Sequence, residues 1–240
     1  DLAESEGQDE NLGLIEDHLE GRGIRFQYFR PFAAGQLPEA ALPADALFLL
    51  GGGPWGAAGK RDLPTLDAEV ELARRRLDEG TPVIGFGLGA TILALAAGGG
   101  AESTPLEFAI RPVRRTRDDA LNGFLPESFH QVTYLRDRPV LPASAEVLAT
   151  DADGCPAVFR VGVNSYGFLG NPGIKLGMVE DLIMEFDEVP DRATDTLDEL
   201  RSLQVSIEDD LVPIMTGLVQ CTSLMAASRA AEAAGTGLDT

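Results

Sequence analysis

Thiols and imidazoles are the side chains that most readily supply a nucleophile and its base, and this chain has two of each: Cys155, Cys221, His18 and His130. They are scattered. His18 falls among Leu12, Ile15 and Leu19, which repeat at helical spacing, His130 in a strand-like segment, Cys155 just before another, and Cys221 in a late helical region. No metal-ligand spacing and no disulfide framework emerges, and both cysteines read as ordinary small buried residues.

The stretch with the shape of a reactive site contains none of the four. Pro82-Val83-Ile84-Gly85-Phe86-Gly87-Leu88-Gly89-Ala90-Thr91 runs into Ile92-Leu93-Ala94-Leu95-Ala96 and stops at Gly98-Gly99-Gly100. An apolar run, a glycine corner and an alanine-rich run predict a buried strand, a sharp turn and a helix. In a nucleophile elbow of this kind the corner residue is held up at the helix N-terminus and its dipole. Here the corner is Gly87. About thirty residues earlier, the apolar run 46–50 meets Gly51-Gly52-Gly53-Pro54-Trp55-Gly56, where glycines let the backbone approach a bound carbonyl.

These motifs resemble the class I glutamine amidotransferases, whose elbow reads roughly P-V-L-G-I-C-x-G-H-Q and whose cysteine attacks the glutamine side-chain amide. Pro82, Gly85 and Gly89 match, Gly87 stands on the cysteine, and Ala90 and Thr91 replace the polar pair. The loop from Gly51 resembles the family's L-G-G-P-x-G, part of the oxyanion hole. Tyr134-Leu135-Arg136-Asp137 resembles an aromatic-histidine-x-aspartate landmark in which Asp137 is kept and Leu135 replaces the histidine. The family's G-x-Q-F-H-P-E, which carries the general base and the glutamate that orients it, corresponds to Gly167-Phe168-Leu169-Gly170-Asn171-Pro172-Gly173. Asn171 has no useful basicity and Gly173 can orient nothing. The resemblance, over residues 11–188, implies a flavodoxin-like three-layer α/β sandwich with its Cys-His-Glu triad missing at Gly87, Asn171 and Gly173. It implies a vacated pocket formed by Gly51, Gly52, Gly53, Trp55, Gly87, Leu88 and Asn171, and no cofactor.

Composition bounds the rest. The 240 residues, 44% apolar, suffice for one α/β domain with an ample core. A net charge of −20, from 39 acidic and 19 basic residues of which 17 are arginine, opposes binding to nucleic acid or anionic membrane. It reads either as salt adaptation and solubility or as a face for a basic partner. With no signal peptide and no membrane-length apolar run, the expected location is the cytoplasm.

In chain order, the sequence predicts a helix ending at Gly21-Arg22-Gly23, a strand over 24–30, a helix over 63–80, an edge strand over 110–116, strands over 142–149 and 157–162, and a helix over 174–186. The family's first strand, central in its sheet, is not visible in the acidic 1–10, which suggests that residues precede Asp1. Beyond Val189-Pro190, Leu197, Leu200 and Leu203 mark one helix. Ser206-Ile207-Glu208-Asp209 then reads as the cap of another. The expectation is thus a domain over 1–188 and a helical extension over 189–240 shaped as an αα-hairpin. The functional expectation is a catalytically inactive structural or regulatory subunit that self-associates or docks a protein partner through 190–225. The alternatives are a small-molecule-binding module using the vacated pocket, or an amidotransferase subunit completed by a partner chain.

Overall fold

At the centre of the sheet the segments Leu47–Leu49, Val83–Phe86 and Ser165–Phe168 are short runs whose side chains are buried on both faces, as expected of strands sandwiched between helices. The computed structural model describes residues 2–4, 12–31, 37–38, 42–59 and 61–225. Among them the strands are β1 (Leu2–Glu4), β2 (Gln27–Phe29), β3 (Leu47–Leu49), β4 (Val83–Phe86), β5 (Gly100–Arg115), β6 (Ser128–Val140), β7 (Glu146–Asp151), β8 (Pro156–Val161) and β9 (Ser165–Phe168). They form one sheet in the order β2-β1-β3-β4-β9-β8-β7-β5-β6. β2, β1, β3, β4 and β9 are mutually parallel, and the remaining pairings are antiparallel.

Alternation along each strand sends side chains to two cores. Phe48, Ile84, Phe86 and Phe168 face one side, where α1 (Leu14–Glu20) and the C-terminal α5 (Ala193–Cys221) supply Ile15, Leu19, Leu211, Ile214 and Leu218. Leu47, Leu49 and Val83 face the other, against Leu72 of α2 (Leu66–Asp78) and Ile92 and Leu93 of α3 (Leu88–Ala96). A third cluster joins β5 and β6 to α4 (Leu176–Glu185) and the first half of α5. The result is the three-layer α/β sandwich.

Three expectations are corrected. The central first strand is present: β1, only three residues long, pairs in parallel with β2 on one side and β3 on the other. The segment 110–116 is no simple edge strand. It is the end of the sixteen-residue β5, which pairs with β6 along most of its length, with an irregularity between Ser103 and Glu107, and with β7 at Val113, Arg114 and Arg115. The αα-hairpin is a single 29-residue helix, α5, in which Ser206 lies exposed and Pro213 is accommodated internally. Leu200, Ile207, Leu211, Ile214 and Leu218 form one buried stripe at helical spacing, and burying it outweighs the local cap signal and the hydrogen bond lost at the proline. No helix among the described residues is long and apolar enough to cross a membrane.

Candidate functional site

The elbow forms as its residue pattern dictates. β4 ends at Gly87, whose φ of 57° and ψ of −121° favour glycine, and α3 begins at Leu88. Gly85 and Gly89 are packing glycines: a Cβ on Gly85 would strike the Gly89 carbonyl and lie 2.7 Å from the Ala90 nitrogen, and one on Gly89 would strike the Leu49 carbonyl oxygen. Helix and strands therefore touch backbone to backbone. The Gly87 N–H donates to the Phe168 carbonyl at 2.9 Å and the Gly89 N–H to Leu50 at 3.0 Å, fixing the corner to the ends of β9 and β3. Beneath it, the rings of Phe48, Phe86 and Phe168 lie in contact across neighbouring strands, with centroid separations of 6.5 and 5.5 Å.

Gly87 itself is uncrowded. Among the described residues an added Cβ would meet only the Gly51 Cα, at 3.6 Å, an ordinary van der Waals contact. Gly51, Gly87 and Asn171 meet on a partly open cavity of about 50 Å³ walled by Phe86, Tyr134, Leu169 and Met178. That volume admits a few water-sized groups. Among the described residues no thiol, imidazole, carboxylate or amine lines it.

Asn171 and Gly173 serve the fold. The Asn171 N–H donates to the Val132 carbonyl on β6 at 2.9 Å, while its side-chain Oδ1 accepts the Gly173 N–H at 2.8 Å, closing an Asx turn. The Gly173 carbonyl accepts the N–H of Leu14, the first residue of α1, and a Cβ on Gly173 would lie 2.6 Å from the Ile15 Cγ1. Gly173 is thus backed by α1, whereas Gly87 borders open space.

The other expected pocket residues lie beside the cavity. Gly52 is covered by the Leu88 side chain, and Gly53 faces Phe186, with a Cβ-to-ring approach of 3.0 Å. Trp55 packs against the cluster containing Leu88, with the Arg61 guanidinium 4.8 Å from its ring centroid, a cation–π contact. The loop therefore contributes Gly51 alone, because Leu88 and Phe186 cap the rest of it.

Asp137 has a role that the sequence did not disclose. Buried in β6, it accepts the Ala57 N–H at 2.5 Å and the Thr91 hydroxyl at 3.0 Å, fastening the glycine loop to α3. Burial, opposed by these hydrogen bonds, pushes its carboxyl above the usual range. Next to it Arg136 pairs with Glu188, which also receives Arg61 at 3.2 Å, and the Arg136 hydrogen bond holds the Glu188 carboxyl below its ordinary value. The signal for Asp137 was its match to the family landmark.

The chain's thiols and imidazoles stay away from the cavity. Cys155 lies 3.6 Å from an Arg138 nitrogen, and Cys221 hydrogen-bonds the buried Tyr166 hydroxyl. His18 sits 3.2 Å from Arg22, its pKa lowered by burial and then by that charge, and His130 is on β6. Among the described residues no group of three or more His, Cys, Asp or Glu is disposed to hold a metal ion.

No protein-family model matches the sequence, and no curated protein matches it. Solved structures do. A glutamine amidotransferase from Methylobacillus flagellatus superposes with a TM-score of 0.78 at 19% identity, over 92% of this chain and 94% of its own. One from Thermotoga maritima gives 0.77 at 20% identity, over 92% and 96%. A Thermoplasma acidophilum protein described as a GMP synthase component gives 0.55 at 17%, over 85% and 96%. At such identities the likeness is one of architecture, and the chain has the mixed α/β fold of the class I glutamine amidotransferases.

Proposed function

We propose that this chain is a catalytically inactive protein on the glutamine amidotransferase fold, a structural or regulatory subunit whose elbow cavity holds a small molecule. The observation that carries this reading is the chemistry of the cavity wall: Gly87 and Asn171 stand where attack and proton transfer would occur, and among the described residues the wall holds no thiol, imidazole, carboxylate or amine, its one hydroxyl being that of Tyr134. Glutamine hydrolysis needs a nucleophile, a base and an oxyanion site together. A glycine loop supplies at most the last.

The same wall describes the ligand. Apolar side chains and the absence of charge favour a compact, uncharged molecule with one polar end towards Gly51 and Asn171. The apolar stripe of α5 packs within the chain, so assembly through 190–225 must use the outer face, where Val205 and Val212 are exposed.

The test is to incubate the purified protein with glutamine, follow ammonia by a coupled dehydrogenase assay, and treat it with a glutamine-mimicking diazoketone. The expected result is no glutamine-dependent ammonia and no covalent adduct by intact mass. Turnover, or an adduct on either cysteine, overturns the inactive reading. Native mass spectrometry of protein from its own source tests the rest: an adduct mass released by denaturation supports the cavity ligand, and a bare monomer at all concentrations refutes both binding roles.

A further inference from the structure

One strand edge in the sheet is left open beside a groove. β5 pairs with β6 nearly throughout but with β7 only at its last three residues, so over 104–112 the edge away from β6 has no strand partner among the described residues. Three contacts fix which backbone groups face outward. Ala109 turns its carbonyl to β6, where the Thr133 hydroxyl reaches it at 3.2 Å; the Phe108 carbonyl instead receives Thr196 of α5, at 3.5 Å; and Val132, opposite Ile110, gives its carbonyl to Asn171. Ile110 therefore presents both N–H and C=O to the outside and Phe108 its N–H, its outward carbonyl being shared with Thr196. Pro105 and Pro112, which have no N–H, bracket this window and limit uncontrolled edge pairing.

The window looks into a groove of about 750 Å³ between β5 and the start of α5. The strand from 106 to 111 spans about 17 Å, enough to align a short extended segment. The helix wall carries Asp191, Asp195 and Glu199 against one arginine, Arg192, which is already paired with Asp195 at 3.3 Å. On the strand side Arg111 is held by Glu107 and approached by Asp151 and Asp153, and Arg138 of β6 also lines the groove, so the unpaired excess is the two carboxylates Asp191 and Glu199 against Arg138.

We propose that this groove takes an extended, arginine- or lysine-bearing segment of a partner protein as an added β-strand. Backbone hydrogen bonds to the Phe108 N–H and to the Ile110 N–H and C=O supply the register, and Asp191 and Glu199 of the α5 wall select basic side chains. The net charge of −20 attracts such a segment and repels a second copy of this chain.

The probe is an acetylated, amidated hexapeptide alternating valine with arginine, titrated into the full chain at low salt and followed by fluorescence anisotropy and amide hydrogen exchange. Saturable binding is expected, with slowed exchange at Phe108 and Ile110, weakening on added salt, and loss when alternate peptide amides are N-methylated. Asp191→Asn with Glu199→Gln, both surface changes, should weaken binding about five-fold. A valine-glutamate peptide binding equally well overturns the proposal, as does binding indifferent to N-methylation or no binding at millimolar peptide. Concentration-dependent dimerisation that protects the same two amides overturns it in favour of self-pairing.

Discussion

Placing a thiol at the elbow tests whether Gly87 borders space that a side chain can fill. In Gly87→Cys the new Cβ would rest 3.6 Å from the Gly51 Cα and the sulfur would enter the 50 Å³ cavity, so no overlap has to be relieved. The cost is conformational, a side chain held at a φ of 57°, and comes to about 2 kcal/mol. For a chain of this size that is a fall in Tm of roughly 4–8 °C. Gly173→Glu meets the opposite situation: its Cβ alone would sit 2.6 Å from the Ile15 Cγ1 and 3.0 Å from the Ile15 nitrogen, with the rest of the side chain still to place. Either α1 moves or the helix start is strained, at a cost of about 3 kcal/mol or more. Urea unfolding followed by circular dichroism measures both. The elbow thiol, at a helix N-terminus, should also alkylate faster with iodoacetamide at neutral pH than Cys155 or Cys221. Ammonia release from glutamine should stay at background, because Asn171 cannot take the proton. The reasoning is refuted if Gly173→Glu proves as stable as Gly87→Cys, or if the latter alone hydrolyses glutamine.

Two further outcomes are expected. Asp137→Asn can still accept from Ala57 and can donate to the Thr91 hydroxyl while removing a buried charge, so it should match or exceed the parent stability at pH 7, whereas Asp137→Ala orphans both donors and should lose about 1–3 kcal/mol. The Asp137 carboxyl titrates above its unfolded value, so its contribution is full below about pH 4 and is lost as pH rises through the folded pKa; relative to Asp137→Asn the parent should gain stability on acidification, and a flat difference in urea midpoint between pH 4 and 7 would contradict this. Deleting 190–240 strips Leu211, Ile214, Met215, Leu218 and Val219 from the main core, a loss of about 10 kcal/mol on the scale of the whole stability, and should yield aggregated or dye-binding protein rather than a cooperatively folded monomer.

Where a structural cause is local, the residues announced it. The β4–elbow–α3 unit was legible because an apolar run, glycines at 85, 87 and 89 and an alanine-rich helix each follow from contacts within a dozen residues. That Gly87, Asn171 and Gly173 carry no thiol, imidazole or carboxylate was equally plain, since it is read from residue identity. Partners distant in the chain decided the rest. β1 carries no periodicity in three residues and exists because β2 and β3 both pair with it. Local capping divided 190–225 into two helices, and the sheet face that receives Leu200 to Leu218 made them one. Gly87 and Gly173 look alike in the sequence, yet one borders open space and the other supports α1, whose Ile15 lies more than 150 positions earlier in the chain. The sequence by itself determined the elbow and the glycine loop. Only tertiary packing decided which of Gly87 and Gly173 borders a cavity, what Asp137 holds, and which edge of β5 lacks a strand partner, because each depends on what the rest of the chain brings alongside.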